Sequence, residues 1–204
     1  MAEFAIWKRL DAPGHDAAQL RQGQDGEYIL EGMTVFRHES EPACLAYRVD
    51  LAPDWSTTRG SVTGFIGATR FERLIEFGAR GWFVDGVEQP ELAHLRDLDF
   101  GFTPATNLQQ LRRVAPKIGK AVDLPVAWLA VGADRLVELP QVYRRLDEHS
   151  YAYLARSVSY EATLILASNG FVRRYPGLWE MEINREECGD LRRGCAPAGP
   201  SAGR

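Results

Sequence analysis

The sequence predicts a mainly β, single-domain protein built on an antiparallel sheet of the sandwich, roll or barrel type, with little helix. Three observations predict this fold class. Short segments of alternating apolar and polar residues recur along the chain, turn residues separate them every ~8 to 12 positions, and helical periodicity is rare. With 204 residues, 45% of them hydrophobic, the chain can form one core that removes about 70% of its unfolded surface from water.

The first half of the chain contains the clearest strand, at residues 45–51. Its apolar side chains occupy alternate positions: Leu45, Tyr47, Val49 and Leu51. Further strands are predicted at 28–37 and 61–68. Two more, at 74–77 and 82–84, are predicted to be the two arms of a hairpin. The pair Asp85-Gly86 then reverses the chain again, because Asp-Gly is typical of two-residue hairpin turns.

The second half continues the same alternating pattern. Strands are predicted at 126–131, 135–139, 141–146, 151–158, 158–166 and 171–175. The last two are joined through Asn169-Gly170, a pair typical of type I′ turns because both central residues of such a turn need positive φ. A β-hairpin is therefore expected at this point.

One helix is predicted, beginning at Asn107. Asn107 is a suitable N-cap residue, Gln110 follows at the capping-box spacing, and Leu108 and Leu111 lie at helical spacing. Pro116 is expected to end this helix after about two turns.

Composition and charge exclude several classes of function. The net charge of -4 lacks the strongly basic balance of nucleic-acid-binding domains. No uncharged stretch reaches the ~18 to 20 residues of a membrane-spanning helix, and the N-terminus lacks the pattern of a secretory signal, so a cytoplasmic protein is predicted. The three cysteines are expected to be free thiols, and neither they nor the four scattered histidines indicate a metal site or a cofactor.

The densest polar stretch runs from Arg96 to Asn107. On a strand, Asp97 and Asp99 would share one face, and two carboxylates beside a basic segment can form a binding or acid/base site. An acidic block ending at Asp99 lies next to a basic block that begins at Arg112 and Arg113. The two blocks either form surface ion pairs or line a polar mouth.

Aromatic residues supply a second set of candidates. Trp55 lies in a polar loop and Trp82 follows a glycine-bounded turn, so both could cover the apolar face of a sugar ring. Trp7, Trp128 and Trp179 have apolar neighbours and are expected in the core. Gln141, Tyr143 and Arg145 would share one strand face, which lines a wet cavity or faces solvent.

The segment Asp99-Phe100-Gly101-Phe102-Thr103-Pro104-Ala105-Thr106-Asn107 resembles the bacterial Putative glycolipid-binding family. Supporting matches of order and spacing lie at Trp7, Leu10-Asp11-Ala12-Pro13-Gly14, Trp55-Ser56-Thr57-Thr58-Arg59, Gly81-Trp82, Asp85-Gly86, Arg112-Arg113, Ala127-Trp128-Leu129, Gln141-Val142-Tyr143-Arg144-Arg145 and Tyr175-Pro176-Gly177-Leu178-Trp179. The resemblance implies a spiral β-roll similar to bacterial lipoprotein carriers over residues 1–187. It favours a strand after Asn107, against the helix that the residues themselves predict. Residues 188–204 have no counterpart and the composition of a flexible tail.

The first functional hypothesis is a non-enzymatic protein that holds a glycolipid or another amphipathic lipid in a β-roll cavity, with the acyl part in the apolar interior and the head group at a polar mouth. Three residues are expected to stack on or orient the ligand: Trp55, Arg59 and Trp82. The hydrogen-bonding residues are expected to be Asp97, Asp99, Thr103, Asn107, Arg112, Arg113 and Tyr143.

Two alternatives stay open. One is a hydrolase or isomerase of a lipid or sugar ester, with Asp97 or Asp99 as general base and Arg112 or Arg113 stabilising an anion. The other is a protein-interaction scaffold with a solid core and no cavity. The sequence leaves the identity of the ligand and the oligomeric state undetermined.

Overall fold

The computed structural model describes residues 2–184 and is mainly β. In chain order the strands are β1 (Glu3–Arg9), β2 (Gly14–Gln22), β3 (Tyr28–His38), β4 (Glu41–Leu51), β5 (Thr57–Ile66), β6 (Thr69–Gly78), β7 (Gly81–Val84), β8 (Val87–Gln89), β9 (Leu98–Phe100), β10 (Ala121–Asp123), β11 (Val126–Leu129), β12 (Val137–Leu139), β13 (Val142–Arg145), β14 (Ser150–Ala155), β15 (Tyr160–Leu166), β16 (Val172–Tyr175) and β17 (Trp179–Asn184). One helix, α1, spans Asn107–Val114. Short 3₁₀ turns lie at Pro90–Leu92 and Arg156–Val158.

Fourteen strands form one large antiparallel sheet in the order β10-β13-β14-β15-β16-β17-β1-β2-β3-β4-β5-β6-β7-β8. The first and last strands are neighbours in it, with Ala5 opposite Asn184. The sheet does not close, because β10 and β8 are its two edges. These findings confirm the mainly β, antiparallel fold class.

The three remaining strands form a small sheet in the order β12-β11-β9. Its pair β9 and β11 is parallel, whereas β11 and β12 are antiparallel. The segment that contains β9 and α1 supplies buried side chains to the main core: Leu98, Phe100, Phe102, Ala105 and Leu108. The interior of the fold is therefore filled by the middle of the chain itself.

Strand alternation sets the core as predicted for β4. Leu45, Tyr47, Val49 and Leu51 all lie at 3% relative exposure or less. A second cluster of buried side chains, centred on Tyr143 and Tyr153, packs beside the main core. Both clusters border the region in which the polar segment 97–107 lies.

Two predicted turns differ in detail. Asp85 and Gly86 have φ values of 49° and 80° and join β7 to β8 with two residues, as a type I′ turn requires. At Asn169-Gly170 the reversal is confirmed, but of this pair only Gly170 has positive φ. Its N–H donates to the carbonyl oxygen of Ala167 at 2.8 Å, so the loop is longer and the type I′ prediction is wrong there.

The helix after Thr106 corrects the strand that the family resemblance favours. The residue pattern is right about the helix, but Asn107 lies inside it and Thr106 occupies the N-cap position without a side-chain cap bond. The helix ends at Ala115, whose N–H donates to the carbonyl oxygen of Leu111 at 2.9 Å and whose φ is 42°. The sequence patterns do not predict strands β1, β2, β8, β10 and β17. Strand β2 in particular consists largely of Ala, Gln and other weak strand formers.

Among residues 2–184, no helix is long and apolar enough to cross a membrane. Cys44 is a free thiol. Cys188, Cys195 and the predicted tail at 188–204 lie outside the described residues, so the domain boundary near residue 187 stays a prediction.

Candidate functional site

The polar segment is organised by the alternation of β9. Leu98 and Phe100 point into the main core, and Phe102 stacks on Phe100 with ring centroids 5.2 Å apart. The two carboxylates, Asp97 and Asp99, take the opposite direction and are both buried. The fold thus places two acids on one face, as the sequence predicts, but under cover rather than at an open mouth.

Asp97 is engaged by a single partner. The Arg113 guanidinium binds it through three hydrogen bonds: Nε donates to Oδ1 at 2.9 Å and to Oδ2 at 3.2 Å, and a terminal nitrogen donates to Oδ2 at 2.5 Å. The hydrogen bond to Asp97 raises the pKa of Arg113. This pair joins the acidic and basic blocks of the sequence, and it leaves Asp97 occupied as a structural anion.

Asp99 accepts two hydrogen bonds from neutral groups. The hydroxyl of Thr106 donates to Oδ1 at 2.5 Å, and the side-chain amide of Gln141 donates to Oδ2 at 3.2 Å. Burial raises the pKa of Asp99; the negative charge of Asp97 adds to this effect, and the two hydrogen bonds oppose it. The folded protein therefore favours the protonated form of this carboxyl more than water does.

Asp99 lines a cavity of about 240 Å³, which we call the aromatic cavity. Its polar end consists of Asp99, Thr103 and Asn107. Its remaining lining is mostly aromatic or aliphatic: Phe100, Gly101, Trp128, Leu139, Tyr153, Val158, Tyr160, Tyr175, Leu178 and Trp179. The cavity thus combines flat apolar walls with a carboxyl, an amide and a hydroxyl at one end.

Gly101 allows one wall of the aromatic cavity to approach the backbone. A Cβ atom at Gly101 would lie 2.6 Å from the indole nitrogen of Trp128 and 2.8 Å from its ring carbons. Only a residue without a side chain fits this contact. The half-buried Trp128 ring is therefore held against the β9 segment.

A cluster of tyrosines forms another part of the cavity lining. Tyr153 lies 4.8 Å from Tyr143, 5.9 Å from Tyr160 and 5.8 Å from Tyr175, measured between ring centroids. The Asn107 amide donates to the Tyr143 hydroxyl at 2.8 Å. Burial raises the pKa of Tyr160 to about 12, and its hydroxyl donates to the carbonyl oxygen of Pro176 at 2.5 Å.

A second buried acid lies behind Thr103. The Tyr47 hydroxyl donates to Asp16 Oδ1 at 2.8 Å and accepts from the Thr103 hydroxyl at 3.0 Å. Asp16 Oδ2 is buried and has no hydrogen-bond partner in the described structure. Burial raises the pKa of Asp16 to about 7, although the neighbouring hydroxyl groups of Thr103 and Tyr47 act to lower it.

The structure brings together only part of the predicted site. Asp99, Thr103 and Asn107 meet at the aromatic cavity, and Tyr143 lies one hydrogen bond behind Asn107. Arg113 binds Asp97 instead of the cavity. The remaining predicted residues, which do not line this cavity, are Trp55, Arg59, Trp82 and Arg112.

These four residues lie in different surroundings. Trp82 is fully buried and its indole N–H donates to the carbonyl oxygen of Leu95 at 3.3 Å, so none of its surface can contact a ligand in this conformation. Arg59 is exposed on β5. Trp55 and Arg112 line a separate surface cleft of about 420 Å³.

Sequence reasoning missed most of the cavity wall. Trp128 was expected in the core but is half-buried, and Tyr153, Tyr160 and Tyr175 were read only as strand residues. The one sequence pattern that indicates a polar site in the interior is the placement of Gln141 and Tyr143 on one strand face, because a polar side chain that faces inward needs a buried partner. Asp16 and Tyr47 carry no local pattern that singles them out.

Comparison with known proteins gives one family match. The family described as Putative glycolipid-binding matches residues 4–181. A solved structure of a DUF1089 family protein from Pseudomonas aeruginosa is 25% identical, with a TM-score of 0.70, over 81% of this chain and 91% of that one. A β-barrel-like protein of the domain of unknown function DUF1849 from Brucella abortus is 11% identical, with a TM-score of 0.49, over 90% and 95% of the two chains. That second likeness is too distant to support any conclusion. No curated protein matches the chain.

Proposed function

Since the chain belongs to the Putative glycolipid-binding family, we propose that it binds an amphipathic molecule, a glycolipid or similar lipid, whose head group occupies the aromatic cavity. The observation that carries this proposal is the lining of the cavity. Aromatic faces cover the C–H face of a sugar ring, while carboxyl, amide and hydroxyl groups bind its hydroxyls. All of these groups meet in one place here.

The size of the cavity limits what it encloses. Its volume of about 240 Å³ is below the ~300 to 1,000 Å³ of pockets that hold a whole drug-sized molecule. Phe100, Phe102 and Leu108 are buried in the main core. We therefore place the head group in the cavity, in contrast to the sequence-based expectation that the interior holds the acyl part.

The acyl part of the ligand would extend out of the cavity across apolar side chains at its rim. Val158 is 47% exposed, and Tyr160 and Leu178 beside it are half-buried. Covering these side chains with methylene groups gains about 0.8 kcal/mol for each methylene that becomes buried. The rim thus favours an amphipathic ligand over a free sugar.

Two measurements test the proposal. Denaturing extraction of the purified protein followed by mass spectrometry should find a co-purified lipid, and octyl glucoside below its micelle concentration should bind saturably in calorimetry. Trp128→Leu should weaken octyl glucoside binding about tenfold, because it removes one aromatic wall. Trp55→Leu, a tryptophan outside the cavity, is the matched control and should leave this affinity within about twofold. If no lipid is extracted and no alkyl glycoside binds, the proposal fails.

One observation favours a second candidate function, hydrolysis of a lipid or sugar ester. The carboxyl of Asp99 borders a cavity and has a raised pKa, which suits a general acid. No serine, cysteine or histidine lines this cavity in the described structure, so water would have to attack the ester directly. Asp99→Asn should then abolish turnover of a lipid ester while octyl glucoside still binds.

A further inference from the structure

Besides the aromatic cavity, the structure contains a surface cleft of about 420 Å³, to which α1 contributes different residues. Asn107 lines the cavity, whereas Leu108, Leu111 and Arg112 line the cleft. Five further residues of the cleft supply its charges and aromatic rings: Trp55, Arg145, Glu148, His149 and Tyr151. We propose that this arginine cleft binds an organic anion, a carboxylate or phosphate attached to a flat or apolar body.

The two arginines of the cleft are held in place without an acidic partner. Arg112 donates to the carbonyl oxygen of Asn169 at 2.9 Å. Arg145 donates to three backbone carbonyl oxygens, those of Pro116, Asp147 and Glu148, at 3.0 to 3.3 Å. Within residues 2–184 neither arginine pairs with a carboxylate. Several other arginines do form such pairs: Arg9, Arg21, Arg48, Arg70, Arg73, Arg80 and Arg113.

Both guanidinium groups keep unused N–H donors. A guanidinium has five, of which Arg112 uses one and Arg145 three in the bonds described. A fixed guanidinium with free donors matches the oxygen atoms of a carboxylate or phosphate, and it loses less conformational entropy on binding than a mobile one. Glu148 also lines the cleft, but it is exposed and forms no ion pair with either arginine.

Aromatic rings accompany both charges. The Arg112 guanidinium carbon lies 5.7 Å from the Trp55 ring and that of Arg145 lies 5.8 Å from the Tyr151 ring. Trp55 is itself fixed, because it stacks on Tyr28 with ring centroids 3.9 Å apart. Leucine side chains also line the cleft. This arrangement fits a ligand with a flat apolar body and one anionic group.

The cleft and the aromatic cavity therefore differ in charge. Of the acidic and basic residue types (Asp, Glu, Lys, Arg and His), the cavity lining includes only Asp99. The cleft lining includes two arginines and His149, and one acidic residue, Glu148. An anion is favoured at the cleft and disfavoured at the cavity. The cleft is an independent site, and its test does not depend on the proposed function.

A pair of fluorescent probes separates charge from apolar binding. The probe 8-anilinonaphthalene-1-sulfonate carries a sulfonate, and N-phenyl-1-naphthylamine has the same rings without it. We expect Arg112→Gln to weaken binding of the sulfonate about tenfold and to change binding of the uncharged probe less than about twofold. Arg59→Gln, an exposed arginine outside the cleft, is the control and should change neither. Arg145→Gln removes three ties to the backbone and is informative only if it folds, so Arg112→Gln carries the test.

Competition then identifies the anionic group. Decanoate and decyl phosphate should displace the bound sulfonate, and whichever displaces it at the lower concentration names the preferred group, while decyl glucoside should not. Trp128→Leu should leave sulfonate binding unchanged, which keeps this result separate from the test of the aromatic cavity. Equal losses for Arg112→Gln and Arg59→Gln, or displacement by the glucoside alone, would overturn the proposal.

Discussion

Replacing Asp16 by Asn should make the stability of the protein less dependent on pH. Asp16 is 1% exposed, its Oδ2 atom has no partner, and burial raises its pKa to about 7 from 3.8 in the unfolded chain. Between these two values the unfolded chain releases the proton while the folded protein keeps it. The contribution of Asp16 is therefore most favourable below pH 4 and is lost progressively as the pH rises to 7.

The magnitude follows from the two pKa values. They differ by about 3 pH units, and each unit corresponds to about 1.4 kcal/mol, so ionisation of Asp16 costs the folded state about 4 kcal/mol above pH 7. About 1 kcal/mol of this is already present at pH 4.5. Asp16→Asn should thus raise the free energy of unfolding, relative to the unchanged protein, by about 3 kcal/mol more at pH 8 than at pH 4.5.

Urea unfolding followed by tryptophan fluorescence at both pH values measures this difference. Any constant effect of the amide on the hydrogen bond with Tyr47 cancels, because it is the same at both pH values. Asp25→Asn, at an exposed aspartate, is the control and should show a difference below about 0.5 kcal/mol. An effect of Asp16→Asn that is the same at pH 4.5 and 8 would refute the reasoning, since it would mean that this carboxyl does not change its ionisation between them.

Three further predictions concern packing, charge and the chain end. Arg113→Met should lower the free energy of unfolding by about 3 kcal/mol in urea titrations, because it leaves a buried carboxylate without its partner; a loss below about 1 kcal/mol would contradict this. Gly101→Ala should cost about 1 to 3 kcal/mol and displace Trp128, whereas Gly78→Ala, where a new Cβ meets only one atom at 3.9 Å, should be tolerated. Removal of residues 188–204 should leave the urea midpoint unchanged, and a large shift would show that this segment contributes to the folded state.

Local patterns predicted much of the fold. Alternation identified β4 and its buried residues, and Asp85-Gly86 identified a type I′ turn, because both depend on neighbours in sequence. Strand β2 has no such pattern and forms because β3 pairs with it along its whole length and β1 pairs with its residues 15–20. The helix α1 shows that the residue pattern of a segment can be a better guide than resemblance to a family, although its N-cap is Thr106 and not Asn107.

The candidate site was less predictable for a physical reason. Asp99, Thr103 and Asn107 lie within one nine-residue segment, and they are neighbours both in the sequence and in the cavity lining. The aromatic walls come from strands far along the chain, and which face of each strand turns inward depends on register. Local context does not predict that Trp82 is fully buried or that Trp55 lines a separate cleft, because the burial of a turn or loop depends on parts of the chain that are distant in sequence.

The pairing of β1 with β17 has a consequence for biosynthesis. Strands β1 to β8 leave the ribosome as a series of hairpins, but the outer edge of β1 stays without its partner until β17 has been made. An unpaired edge exposes backbone hydrogen-bonding groups to other chains. The end of the described chain also brings Tyr175 of β16 and Trp179 of β17 to the aromatic cavity. Nascent chains that stop short of β17 should therefore aggregate more readily and should lack part of the lining of this cavity.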